Sequence, residues 1–193
     1  LIKISDLSRP TRQLVNCLVT VISVLLCLLV LPTRLPGMEL LGIGPNWLLI
    51  WVVAWSLKRT VFQGAVAGLA LGMIQDGMTS PHPSHTLSLM LVGIVAARIR
   101  KQRYIQEDFI SVALIVFGMA VLAETVMAIQ YSFQSDLFNT NSFSTRSLGE
   151  IWTDHQRIAL ASAILSSLWA PIIYYPLNRW WQRLNLLEQS SSH

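Results

Sequence analysis

Residues 13–33 read QLVNCLVTVISVLLCLLVLPT, an uncharged run bounded by Arg12 and Arg34. At 1.5 Å per residue such a run covers a hydrocarbon core of about 30 Å, and a soluble domain has little use for it. It follows Lys3, Arg9 and Arg12 and so imitates a secretory signal. However, Leu31-Pro32-Thr33-Arg34 offers no small-residue cleavage site, so the run is expected to be a retained first helix.

Outward from that run, residues 40–57, 60–75, 77–97, 109–123 and 158–178 are also free of charge, and the fifth run would continue to Gln134 but for Glu124. The expectation is a single all-α transmembrane domain over 1–193, a bundle of about six helices. Its spans fall near 14–32, 43–57, 60–75, 84–99, 109–130 and 158–177, with an external loop at 131–157. The third and fourth spans are short, because Pro81 and Pro83 delay the start of the fourth, and such helices need thinning of the bilayer or shelter within the bundle.

Composition agrees: 53% of residues are hydrophobic and 12% charged, about half the charge of a soluble domain. A net charge of +4 raises the question of nucleic acid, but the basic residues cluster between apolar runs, so no nucleic-acid partner is expected. Lys3, Arg9, Arg12, Lys58, Arg59, Arg98, Arg100, Lys101, Arg103, Arg179 and Arg183 fall on one side of the predicted membrane; Arg34, Arg146 and Arg157 fall on the other. Positive charge stays on the cytoplasmic side, which predicts that both termini are cytoplasmic. Cys17 and Cys27 lie about 15 Å apart along one helix, too far for a disulfide.

The richest local pattern is Gly64-Ala-Val-Ala-Gly68-Leu-Ala-Leu-Gly72-Met-Ile-Gln-Asp76, followed by Ser80-Pro81-His82-Pro83-Ser84-His85-Thr86-Leu87. Gly64, Gly68 and Gly72 share one helix face, where a neighbouring backbone can come close. Asp76 continues that face at the end of the third span; an acid at a helix carboxyl end opposes the macrodipole and needs water, a cation or a donor beside it. Metal binding by Asp76, His82, His85 and His155 has thin support without Cys or a His-Glu-x-x-His helix, and no cofactor is expected. His85 reads instead as a helix-start residue bonded to the preceding loop, with Asp76 as the candidate partner.

These residues resemble the MreD family, a rod shape-determining membrane component of the bacterial cell-elongation machinery. The resemblance is carried by Gly64-x-x-x-Gly68-Leu69 with Asp76, then Ser80-Pro81 and the His85-to-Leu87 helix start. Pro83 departs from it, standing where the family usually has Gly, and Pro fixes φ where Gly leaves it free. The resemblance implies a non-enzymatic scaffold that binds an MreC-type membrane protein. Through it the chain would reach the RodA glycosyltransferase and a class B penicillin-binding protein, and indirectly MreB-type filaments, to organise peptidoglycan synthesis and maintain cell shape. Self-association stays open. Gly64, Gly68, Gly72, Asp76, Pro81 and His85 are then the candidate partner or helix-packing residues.

Glu124 is the lone acid within a span, a candidate functional group in its outer third. Trp47, Trp51 and Trp55 form an aromatic stripe, read as packing against lipid or a partner helix. Tyr174, Tyr175, Trp180 and Trp181 with Arg179 and Arg183 read as an inner-interface anchor, and Pro171 and Pro176 as kink sites. Catalysis lacks parts: the spans hold one carboxylate and no nucleophile–base pair. The alternative is a substrate-binding membrane subunit of an energy-coupling-factor type vitamin transporter, with Trp47, Glu124 and Asp76 around one pocket.

Overall fold

The computed structural model describes residues 9–33, 37–40, 42–79, 84–99, 109–138 and 148–190. Pro81, His82 and Pro83 lie outside the described residues, as do Lys3, Arg34, Arg100, Lys101, Arg103 and Arg146. Six helices are present among the described residues: α1 Arg9–Val30, α2 Trp47–Ser56, α3 Val61–Met78, α4 His85–Ile99, α5 Phe109–Phe138 and α6 Leu148–Ser190. Among the described residues three stretches are long and apolar enough to cross a membrane, Pro10–Val30, Phe109–Phe133 and Gln156–Leu184, while α2 and α4 are shorter apolar helices.

The shortest helix is the centre of the bundle. Residues Leu48 to Ala54 of α2 are each at most 3% exposed, and α2 touches all five other helices. A helix that is apolar all round can be buried on every side, and this one is. Its ten residues rise only about 15 Å, half a hydrocarbon core.

The expected span 43–57 is therefore shortened at its front. Ahead of α2 the chain is not helical: Leu40 and Ile43 exchange two backbone hydrogen bonds of 2.9 and 3.0 Å around Gly42, whose φ is +79°. Asn46 then caps α2, its side-chain oxygen accepting from Leu49 N at 3.0 Å. Asn46 N–H donates to Ser166 Oγ at 3.0 Å. Ser166 stands ten residues inside the apolar stretch that begins at Gln156, about 15 Å along α6. Irregular backbone at that depth needs protein partners for its polar groups, and Ser166, itself fully buried, supplies one.

Four of the other five helices form two antiparallel pairs beside α2, α3 with α4 and α5 with α6, and α1 packs on α2. In the α3–α4 pair Thr60 begins α3 with a capping box: Gln63 N donates to Thr60 Oγ1 at 3.4 Å and Thr60 N to Gln63 Oε1 at 3.3 Å. In the α5–α6 pair Phe109 stacks on Tyr175 with ring centroids 6.5 Å apart. Both helices outrun their expected spans. α5 continues to Phe138 and α6 begins at Leu148, so helix occupies both flanks of the expected loop 131–157. α6 is one continuous helix of 43 residues through Pro171 and Pro176, about 65 Å long.

Candidate functional site: the α3–α4 hairpin and its polar knot

Gly64, Gly68 and Gly72 face α4 at backbone distance. A Cβ added at Gly64 would meet the Gly93 carbonyl, one at Gly68 the Leu89 carbonyl, and one at Gly72 the Cα of Thr86. Gly93 answers from α4, where a Cβ would meet the Gly64 carbonyl. The stripe therefore lies against the chain's own α4 and not on an open surface. Gly93 is not among the residues the glycine spacing singles out, although a glycine inside an apolar helical run costs about 1 kcal/mol against alanine and so signals close packing.

Where the glycine face ends, Asp76 binds the start of α4. Its Oδ1 accepts from His85 N at 2.7 Å and lies 2.9 Å from His85 Nδ1. Its Oδ2 accepts from Thr86 Oγ1 at 2.6 Å, Ser84 Oγ at 3.0 Å and Thr86 N at 3.1 Å. The donors missing from the carboxyl end of α3 are thus found at the amino end of α4, where backbone N–H groups have no helical partner and the dipole favours an anion. Asp76 is an N-cap delivered from another helix.

Asp76 stands one residue past the expected span 60–75. Partial burial alone would raise its carboxyl; the hydrogen bonds from Thr86, His85 and Ser84 outweigh that and hold it below its ordinary 3.8, at about 2. An ionised carboxylate with its acceptor sites filled is suited to holding a turn, and poorly suited to passing a proton.

The knot has a third strand of support. Gln130 on α5 donates from Nε2 to Ser84 O and accepts from Ser84 N at Oε1, both at 3.1 Å. This paired contact ties the turn to the α5–α6 unit. Nothing in the local pattern at 64–87 announces it, because the partner lies 46 residues away.

The aromatic stripe lies inside the bundle. Trp51 is 3% exposed, and its Nε1 donates to Ser23 Oγ of α1 at 2.8 Å. Trp51 stacks on Trp55 at 5.9 Å, Trp47 meets Trp169 of α6 at 5.6 Å, and the Arg59 guanidinium lies 5.4 Å over the Trp55 ring. Glu124 lines a cavity of about 310 Å³ between α5 and α6. Trp47 borders a different, smaller cavity of about 140 Å³ with Met38, Glu39 and Gly44. Trp47 and Glu124 thus line separate cavities, and Asp76 lines neither of the two. Among the described residues no three His, Cys, Asp or Glu side chains are grouped as metal ligands. His82 lies outside those residues, and the His155 side chain is not described.

Residues 8–178 match the family model for rod shape-determining protein MreD. No curated protein and no solved structure gives a match. The match spans the whole bundle from α1 into α6, including the glycine face, the Asp76 knot and the apolar helices of a membrane protein. The chain belongs to the MreD family of rod shape-determining membrane proteins.

Proposed function

We propose that this chain is a non-enzymatic membrane scaffold whose α1 receives the single membrane helix of an MreC-type partner. One observation carries the choice of helix: the apolar stretch of α1 is only 6% buried, against 33% and 39% for those of α5 and α6. Leu14, Leu18, Val21, Leu25 and Leu29 are each at least half exposed, while Ser23 holds the opposite side of α1 to Trp51 in the core. An apolar helix fixed along one edge leaves the other edge to lipid or to another helix, and packing between helices in lipid needs shape rather than polarity. The glycine stripe does not serve this role, since α4 covers it.

In this reading both termini are cytoplasmic, supported by the placement of eleven of the 14 Lys and Arg residues on that side. RodA, a class B penicillin-binding protein and MreB-type filaments are reached through the MreC-type protein. A single domain with six crossings belongs to this reading, the second near 43–57 with the short α2 as its helical part.

The test is cysteine crosslinking in membranes holding both proteins, after Cys17→Ser and Cys27→Ser. Cysteines at Leu18 and Leu25 are expected to trap the partner's membrane helix, and cysteines at Ile110 and Leu114 of α5 are not. Trapping from α5 alone would reject α1 as the receiving helix. Absence of any partner in the mild-detergent extract would reject the scaffold itself.

A further inference from the structure

The α5–α6 groove around Glu124 is not used by the hairpin, by the tryptophan stripe or by α1. It is lined by Val121, Glu124, Thr125, Ala128, Gln156, Ala159 and Leu160, mostly apolar surface with one carboxylate and one carboxamide. The Thr125 hydroxyl is already engaged, donating to Val121 O at 2.7 Å. Glu124 is half-buried and has no hydrogen-bond or ion-pair partner among the described residues. A carboxylate placed thus in an apolar groove is suited to a cationic donor.

Two further observations say what brings that donor. Gln156 opens the apolar stretch of α6, so the α6 wall of the groove begins at the edge of the hydrocarbon, while Glu124 faces it from the outer part of the α5 stretch that ends at Phe133. From Leu160 an exposed apolar stripe runs along α6 through Ile164, Leu168 and Ile172, 43–62% exposed at four-residue spacing. That stripe is about 18 Å long, comparable with one leaflet's share of a core of about 30 Å. A cationic head with an apolar chain beneath it is a lipid.

We propose that this groove binds a phospholipid with a primary-amine headgroup of the ethanolamine type. Its ammonium donates to the Glu124 carboxylate, the Gln156 carboxamide donates to its phosphate, and an acyl chain follows the Leu160–Ile172 stripe. A headgroup without an amine leaves the carboxylate unpaired and beside a phosphate, which disfavours binding.

The test is native mass spectrometry of the full chain in mild detergent, incubated with equal amounts of phosphatidylethanolamine and phosphatidylglycerol. Wild type is expected to keep the amine lipid at least tenfold over the glycerol lipid, and Glu124→Gln to bring that ratio near one. Ala159→Phe, which fills the groove and leaves the carboxylate in place, is expected to lower bound amine lipid by a similar factor, and serves if Glu124→Gln fails to fold. Equal retention of the two lipids by wild type, a preference unchanged in Glu124→Gln, or crosslinking of a protein instead of a lipid from Thr125→Cys would each overturn the proposal.

Discussion

Asp76 is placed badly by its own helix and well by its neighbour's. Truncating it in Asp76→Ala strands the N–H groups of His85 and Thr86 together with two hydroxyls. The expected loss is about 1–2 kcal/mol, the range of a lost N-cap, because the site is part-exposed and water recovers some of the bonding. Thermal unfolding in mild detergent measures it. The sign of its pH dependence follows from a folded-state carboxyl depressed from 3.8 to about 2. The stabilisation is full above the ordinary value and is lost as pH falls through the folded one, so the gap between wild type and Asp76→Ala narrows from about pH 3.8 downward. A gap that widened on acidification would contradict the ionised knot. The Asp76–His85 pairing was legible in the sequence because an acid at a helix end and a helix start nine residues later are separated by too few residues to lie far apart. Gln130 was not legible: an uncharged side chain in a long apolar helix carries no sign of which turn it meets.

At the scale of elements, the glycines separate close packing from mere permissiveness. Gly68→Ala puts a methyl on the backbone of Leu89 and Met90, which cannot rotate aside, so α3 and α4 must part. Overpacking of this kind costs about 1–3 kcal/mol. Gly77→Ala on the same helix meets nothing within 4 Å and is expected to be neutral or to stabilise by about 0.5–1 kcal/mol. The paired unfolding measurement decides: equal losses would mean helix propensity and not contact governs the face. The short α2 teaches a different lesson. Counting uncharged residues from Leu40 to Leu57 suggested one span, yet Gly42-Ile43-Gly44-Pro45-Asn46 carries turn formers and an N-cap that start the helix at Trp47. Charge marks where a segment meets water; it does not mark where a helix begins.

For the whole molecule, each helix among the described residues overlaps one of the apolar runs, because the absence of charge over 15 or more residues has few other physical causes. Helix overhang was not legible: the polar residues after Gln130 read as a loop, yet α5 continues to Phe138, since a helix whose preceding turns are fixed adds further residues at little cost. The arrangement also constrains how the chain is made. During synthesis Asp76 emerges before the residues that receive it, at the end of a helix that is not among the long apolar ones. Until Ser84, His85 and Thr86 follow, the acid has only water to hold it, and α3 is poorly suited to settle in lipid alone. The two helices should therefore partition together, as a closed hairpin. A nascent chain halted after Met78 is expected to leave α3 open to protease, and one extended past Ile99 to protect it. Protection already at Met78 would mean that α3 enters unaided. By this route a contact between two side chains and a turn becomes a checkpoint in the timing of membrane insertion.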